Sequence, residues 1–234
     1  MGDTIAYRYP AGRILVFAKA PLAGRVKTRL ASGIGDQAAV TLYEQLVRDT
    51  VSMAVQAKIA PVTLYAESLH PLFAELINSS YRRKPVSSSL KPLDSGIRRN
   101  DDRIKIQQGA DLGLRMHRAI QDALEQADFV VLIGTDCPAM TGEYLNLACQ
   151  ELHAGTEFVF GPAEDGGYVL VGARSAEEEL FTDMRWSTSQ VMQHTRERLL
   201  LLNKQYAELD TLWDLDTPED LKRWQAVSRP AVTG

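Results

Sequence analysis

Short apolar runs alternate with longer helical patterns along this chain, and this alternation limits the possible fold more than any other feature. The runs that read as strands are Arg13–Ala18, Pro61–Ala66, Ile104–Gln107, Phe129–Gly134, Phe158–Phe160, Tyr168–Gly172 and Tyr206–Leu209. The stretches with helical spacing are Asp36–Ala57, His70–Ile77, Leu112–Gln126, Thr141–His153, Ser187–Leu202 and Pro218–Val227. Strands that alternate with helices predict an α/β fold, in which helices cover both faces of a mostly parallel sheet.

One segment, Ser79–Arg103, departs from this alternation. It is rich in Ser, Pro, Arg and Asp, and its few apolar residues follow neither the strand nor the helix period. Such a composition buries too little surface to offset the entropy of ordering. An RNA-binding patch is the alternative, but Tyr81 is its only aromatic residue. We therefore expect a single domain over residues 1–234 with a flexible surface insertion at about 79–103.

The composition excludes several classes of function. The chain has 26 basic and 30 acidic residues, a net charge of −4, so a nucleic-acid partner is not expected. The first residues contain no apolar signal core, and no run is long enough to span a membrane. Two cysteines, Cys137 and Cys149, cannot form a disulfide framework. We expect a cytoplasmic protein.

Against this acidic background, four cations crowd the stretch FAKAPLAGRVKTRL directly after the first predicted strand. They are Lys19, Arg25, Lys27 and Arg29, with Gly24 among them. Ligands of parallel sheets bind beyond the carboxyl ends of the strands, and a short basic loop there can direct cations at phosphate oxygens. The stretch matches neither the Walker loop nor the dinucleotide fingerprint. A solvated charge cluster is the alternative.

Carboxylates follow later strands in the same way. Asp136 stands at the end of the apolar run VVLIG, where an acid can hold Mg²⁺ or Mn²⁺ against phosphates, although it could instead cap the next helix. Asp165 precedes Gly166 and Gly167 just before another strand, and a hairpin turn would use the same residues. Near the end, the pair Asp214 and Asp216 precedes a Thr-Pro-Glu-Asp helix cap, which leaves at least one acid free for metal.

Other motifs favour structural interpretations. The run Trp186–Gln190 reads as a capping box with Ser187 and Gln190 at its ends. The four histidines lack the spacing of a zinc site, and a serine-hydrolase elbow is absent from the sequence. Cys137 is interpreted as a small residue in a tight turn rather than a nucleophile.

Several motifs in order are similar to those of the bacterial DUF2064 family of nucleotide-diphospho-sugar transferase-like proteins, some of them labelled arsenosugar-biosynthesis glycosyltransferases. The motifs are FAKAPLAGRVKTRL, GADLGLRM, IGTDCP, GPAEDGGYVLVG, RWST and DLDTPEDL. The resemblance implies a Rossmann-like GT-A fold, a three-layer α/β/α sandwich. Leu114 stands where the family pattern has an acid, and Ala110 where it has a glycine.

The resemblance also implies roles for individual residues. The nucleotide and its phosphates would be bound by Lys19, Gly24, Arg25, Lys27, Arg29, Asp111, Gly113, Arg115, Gly166 and Gly167. The metal ligands would be Asp136 and Asp216. The catalytic groups would be Asp165, facing the transferred group or the acceptor, and Lys27.

The leading hypothesis is therefore a transferase that depends on Mg²⁺ or Mn²⁺ and passes a sugar from a nucleotide-diphospho-sugar to a small-molecule acceptor. A nucleotidyltransferase, which would take an NTP and release pyrophosphate as enzymes of molybdopterin and F420 biosynthesis do, needs the same cations and acids. A non-catalytic nucleotide-binding protein is the third alternative.

Overall fold

The computed structural model describes residues 6–81 and 103–228. Most of the predicted insertion at about 79–103 therefore lies outside the described residues, and the single-domain assignment stays a prediction. Within the described residues, no helix combines the length and the apolar character needed to cross a membrane.

The elements follow the alternation that the sequence predicts. The strands are β1 (Gly12–Ala18), β2 (Val62–Ala66), β3 (Ile104–Ile106), β4 (Phe129–Ile133), β5 (Phe158–Pro162), β6 (Tyr168–Ala173) and β7 (Tyr206–Glu208). The helices are α1 (Thr28–Ile34), α2 (Asp36–Gln56), α3 (Pro71–Tyr81), α4 (Leu112–Leu124), α5 (Gly142–Ala154), α6 (Val191–Leu201) and α7 (Pro218–Ser228), with a short 3₁₀ turn at Glu178–Leu180.

The strands form one sheet in the order β3-β2-β1-β4-β6-β5-β7. Among the strands of residues 6–81 and 103–228, only β6 runs antiparallel to its neighbours, β4 and β5, and the remaining pairs are parallel. The mostly parallel sheet is therefore confirmed. Because the carboxyl ends of β1 and β4 lie side by side at the centre, the residues after these two strands meet at one edge of the sheet.

Alternate side chains of β1 enter different cores. Ile14 and Val16 belong to the core packed beneath α2, α3 and α5, whereas Leu15 and Phe17 belong to the core beneath α4 and α6. A strand buried on both faces must be apolar throughout, which is the reason that β1 reads as a continuous apolar run. The three-layer α/β/α prediction is confirmed.

Two local features differ from the sequence prediction. Helix α1, which the periodicity does not reveal because it is short and flanked by glycine, places Arg29 in a helix rather than in the basic loop. Gly33 lets α1 pack against α7, since a Cβ there would lie 2.7 Å from the Pro218 ring. The predicted capping box is wrong: α6 begins only at Val191, and no side chain caps its first turn.

Candidate functional site

A cavity of about 660 Å³ opens at the carboxyl ends of the central strands. Its wall contains nine of the residues to which the family resemblance gives a role, namely Lys19, Arg25, Lys27, Arg29, Arg115, Asp136, Asp165, Gly167 and Asp216. Residues from the loops after β1 and β4, the β5–β6 turn and the segment before α7 therefore meet around one space. This is the position at which open α/β sheets bind ligands.

The basic loop after β1 is held in place by Tyr43 of α2. The Tyr43 hydroxyl accepts a hydrogen bond from the Lys19 backbone N–H (2.8 Å) and donates one to the Lys19 carbonyl (3.2 Å). It also accepts a bond from Thr135, in the loop after β4, at 3.3 Å. The side chains of Lys19, Arg25 and Arg29 have no ion-pair partner among the described residues. They therefore present uncompensated positive charge to the cavity.

Lys27 behaves differently from the other cations of the loop. Its side chain is only 2% exposed, and Nζ lies 2.8 Å from Oδ1 of both Asp136 and Asp216. Burial opposes the charged form, but the two neighbouring carboxylates outweigh it and raise the Lys27 pKa. The Lys27 backbone is left-handed (φ 49°), which costs a non-glycine residue about 1–2 kcal/mol. Backbone strain of this kind clusters at functional sites.

A third acid, Asp214, lines the cavity together with the two that contact Lys27. The segment before α7 is tied to the loop after β4 by a hydrogen bond from the Leu215 N–H to the Asp136 carbonyl (2.8 Å). Asp214 directly precedes Leu215 and lines the cavity, and burial raises its pKa to about 7, with further contributions from Asp136, Asp216 and Asp165. The charges are thus close enough to influence one another strongly.

The acids suit a hard divalent cation in type, although they do not form a ready-made cage. Within residues 6–81 and 103–228, no group of three or more acidic, histidine or cysteine side chains is arranged to hold a metal ion. The buried Oδ1 of Asp136, however, lacks a hydrogen-bond partner, because its contact with Lys27 has the distance but not the geometry of one. The Asp136 and Asp216 side chains are 47% and 40% exposed, so each keeps an oxygen open to the cavity. Carboxylate oxygens of this kind fit Mg²⁺ or Mn²⁺.

The β5–β6 turn carries Asp165 to the cavity wall. The carboxylate accepts a hydrogen bond from the Gly167 N–H (2.9 Å), which fixes the turn. Gly166 has φ +88°, and a Cβ there would lie 2.1 Å from the Ser189 carbonyl oxygen. The glycine therefore serves the close contact with the loop before α6. Because β5 and β6 pair antiparallel on either side of it, the turn is the hairpin that the sequence left open as the alternative, and it carries Asp165 at the cavity wall.

Some of the residues named by the resemblance have structural roles. Asp111 caps α4 by accepting a hydrogen bond from the Leu114 N–H (2.8 Å). A Cβ at Gly113 would collide with the Phe181 carbonyl and the Trp186 ring, so this glycine permits helix packing. Neither residue lines the cavity, and the same holds for Gly24 and Gly166. Their direct contact with a nucleotide stays a prediction.

Several residues of the cavity wall have no role in the site predicted from the sequence, including Tyr43, Glu67, Gln107 and the run Trp186–Thr188. Tyr43 fits the apolar period of α2, so its polar role has no signal in the pattern. Ser187, interpreted as a helix cap, instead has a left-handed backbone (φ 62°) at the cavity. Cys137 lies at the cavity but burial raises its pKa to about 12, which agrees with the non-catalytic interpretation.

Comparisons with known proteins agree with this architecture. Residues 91–188 match the family model described as "Uncharacterized protein conserved in bacteria (DUF2064)". A solved structure from Desulfovibrio desulfuricans G20, described as a "putative nucleotide-diphospho-sugar transferase", is similar at 28% identity and a TM-score of 0.78, with 95% of this chain and 90% of that chain covered. The resemblance to this family is confirmed. No curated protein matches the sequence.

More distant structures share the fold. A cytidylyltransferase from Leptospira borgpetersenii is 15% identical with a TM-score of 0.53, over 93% of this chain and 86% of that chain. Glucosyl-3-phosphoglycerate synthase from Mycobacterium tuberculosis, in complex with Mn²⁺, UDP-glucose and phosphoglyceric acid, is 12% identical with a TM-score of 0.50, over 94% and 76%. At these identities the likeness shows the fold alone. The GT-A-type fold is confirmed, and it is one that transferases use.

Proposed function

We propose that this chain, with its DUF2064 resemblance and GT-A-type fold, is a metal-dependent transferase whose donor is a nucleotide-diphospho-sugar. One observation carries the proposal. The cavity that contains Asp136, Asp214 and Asp216 is also lined by three cations, Lys19, Arg25 and Arg29. These cations have no ion-pair partner among the described residues. A diphosphate with a divalent cation needs both kinds of group within one space.

The basic loop would bind and neutralise the diphosphate. When a sugar leaves its donor, negative charge concentrates on the oxygen of the departing nucleoside diphosphate. Cations that are already positioned stabilise that charge without reorganising. The Tyr43 hydroxyl accepts a hydrogen bond from the Lys19 N–H and donates one to the Lys19 carbonyl. These two bonds fix the start of the loop, so part of this positioning exists before the substrate binds.

Asp136 and Asp216 would hold the metal ion, which when bound would neutralise diphosphate oxygens as a Lewis acid. Lys27 reduces the repulsion between these two carboxylates, because its ammonium group contacts both at 2.8 Å and is buried from solvent. Asp165, on a turn at the cavity wall, is the carboxylate we assign to the transferred group or the acceptor.

Product analysis separates sugar transfer from nucleotidyl transfer. The purified protein would be incubated with Mn²⁺, a panel of nucleotide sugars or NTPs, and small-molecule acceptors. Release of a nucleoside diphosphate supports the proposal, whereas release of pyrophosphate from an NTP contradicts it in favour of nucleotidyl transfer. Binding of nucleotide without turnover across the panel would favour a non-catalytic role.

A matched pair of variants tests the role of the acids. Asp136→Asn removes a carboxylate at the carboxyl end of β4, and Asp128→Asn removes an exposed one just before its amino end. We expect the first variant to lose the Mn²⁺-dependent part of nucleoside diphosphate binding, measured by calorimetry, and the second to keep it. Equal Mn²⁺ dependence in both variants would contradict the assignment of Asp136 as a metal ligand.

A further inference from the structure

One end of the cavity lies beyond the carboxyl ends of β1, β2 and β3 and is lined by polar groups without an assigned role. Glu67 follows β2 directly, and its N–H donates to the Ala18 carbonyl at the end of β1 (2.9 Å). Gln107 follows β3, and its N–H donates to the Ala66 carbonyl (2.9 Å). Backbone hydrogen bonds therefore hold both residues at the end of the sheet, where their side chains line the cavity.

The orientation of the Gln107 amide is determined by its neighbours. Its Nε2 donates to the Tyr65 carbonyl at 2.8 Å and to the Ala18 carbonyl at 3.3 Å. Both donor hydrogens are engaged by backbone oxygens, so Oε1 is the group left over, and it has no hydrogen-bond partner among the described residues. Gln107 thus offers a ligand an acceptor.

The Glu67 carboxylate adds two more acceptor oxygens. Within the part of the chain that the structure describes, its one side-chain ion pair is a long one, 3.5 Å from Oε1 to Arg115 Nη1, and the side chain is 34% exposed. Arg115 itself is anchored by its Nε–H, which donates to the Gly109 carbonyl at 3.2 Å. The end of the cavity therefore presents a carboxylate, an amide oxygen and a neighbouring guanidinium, which is a pattern of several acceptors beside one donor.

We propose that this end of the cavity binds the base of the nucleotide and selects guanine, with Glu67 as the residue that determines specificity. This inference rests on the proposed function, which requires a nucleotide. Guanine carries two adjacent donors, N1–H and the N2 amino group, which match the two oxygens of one carboxylate. Its O6 and N7 are acceptors that suit a guanidinium such as Arg115.

The other bases fit this pattern less well. Uracil has one N–H between two carbonyl oxygens, which a carboxylate would repel. Cytosine and adenine each place one amino group beside an unprotonated ring nitrogen, so one carboxylate oxygen of Glu67 would face a lone pair. A buried polar group left without its partner costs binding energy, and this difference is what gives such sites their selectivity. The uridine nucleotide bound by the mycobacterial synthase is thus not the one that we expect here.

The experiment is a calorimetric titration of the whole chain with GDP, IDP, XDP, UDP, CDP and ADP at fixed Mn²⁺ and salt. We expect GDP to bind about ten-fold or more tightly than UDP, CDP or ADP, which corresponds to one good hydrogen-bonded pair. IDP, which lacks only the N2 amino group, should bind more weakly than GDP. These comparisons need only the unmodified protein, so they do not depend on the folding of a variant.

Glu67→Gln supplies the second arm. The glutamine replaces one carboxylate oxygen by an amino group, so it should lose the preference for GDP and gain affinity for XDP, whose C2 oxygen accepts where guanine donates. Glu75→Gln is the matched control, because Glu75 is likewise paired with an arginine, Arg48, but does not line the cavity. It should keep the wild-type order of nucleotides.

Three outcomes would overturn the inference. Tightest binding of UDP, CDP or ADP would show that the pocket reads another base, while leaving the proposed function intact. An equal loss of affinity for all six nucleotides in the Glu67→Gln variant would show that Glu67 binds the ribose hydroxyls instead of the base. Failure of every nucleoside diphosphate to bind would contradict the proposed function itself, and the guanine inference with it.

Discussion

Lys27 offers the sharpest test of how the site balances its charges. In the Lys27→Met variant the side chain at position 27 stays similar in length and volume, but Asp136 and Asp216 lose the ammonium group that contacts both at 2.8 Å. Removing one partner of a fully buried ion pair costs about 3–5 kcal/mol. Here the lysine is 2% exposed but the acids are 47% and 40% exposed, so solvent screens part of the repulsion. We expect the free energy of unfolding to fall by about 1.5–3 kcal/mol, which corresponds to about 3–12 °C in Tm for a chain of this size.

The response to Mn²⁺ decides whether the lower stability of Lys27→Met arises from repulsion between Asp136 and Asp216. A divalent cation can neutralise the two carboxylates in place of the missing ammonium group, so Mn²⁺ should raise the Tm of Lys27→Met more than that of the wild type. A ligand at 100 times its Kd stabilises by about 2.7 kcal/mol. Thermal unfolding with and without Mn²⁺, followed by circular dichroism, measures both effects.

The control is Lys105→Met, since Lys105 pairs with Asp122 at 2.6 Å outside the cavity. It should lose some stability without gaining a response to Mn²⁺. Wild-type stability for Lys27→Met, or the same Mn²⁺ response in both variants, would refute the view that Lys27 is the countercharge of a metal site.

Three further predictions follow from individual contacts. Arg25→Ala should weaken binding of a nucleoside diphosphate by about 1.5–3 kcal/mol while leaving the matching nucleoside unchanged, because only the diphosphate offers charge-assisted hydrogen bonds; calorimetry that gives equal losses for both ligands would contradict this. Gly166→Ala should destabilise by at least about 1–3 kcal/mol in urea unfolding, since φ is +88° and a Cβ would lie 2.1 Å from a carbonyl oxygen; an unchanged midpoint would show that the turn relaxes freely. Burial alone would raise the pKa of Asp122, but hydrogen bonds from Lys105 and Tyr65 outweigh it and lower the pKa in the folded protein. The ionised Asp122 therefore stabilises the fold at any pH above its pKa in the unfolded chain. This contribution disappears as the pH falls through the lower pKa of the folded protein. Asp122→Asn should therefore cost about 0.5–1.5 kcal/mol at pH 7, and the difference from wild type should shrink below about pH 4; a difference independent of pH would contradict it.

The arrangement of strands and the edge that carries the site could be predicted from the sequence because both follow from local patterns. Asp136 ends a wholly apolar run, and its position at the tip of β4 follows from that run alone. The basic loop after β1 is equally visible, because four cations interrupt an otherwise acidic chain. Strand periodicity and the edge rule for parallel sheets need no knowledge of distant contacts.

The partners of individual side chains could not be predicted in this way. Lys27 and Asp216 are 189 positions apart, and they meet where α1 packs against α7 and where Leu215 bonds to the loop after β4. Glu67 and Gln107 follow different strands and become neighbours through the pairing of β2 with β3. The motif around Ser187 predicts a helix cap, but the backbone at this residue is left-handed and the cap does not form. Tertiary packing decides these features, and a single sequence does not encode them as a local pattern.

The central claim is that one cavity holds a nucleoside diphosphate and a divalent cation between the basic loop and the acids. The most direct measurement is a crystal structure of the chain with GDP and Mn²⁺, in which anomalous scattering locates the metal. We predict a manganese peak within coordination distance of Asp136 and Asp216, with the diphosphate facing Lys19, Arg25 and Arg29. A diphosphate bound elsewhere, or a nucleotide in the cavity with no manganese at either acid, would contradict the account.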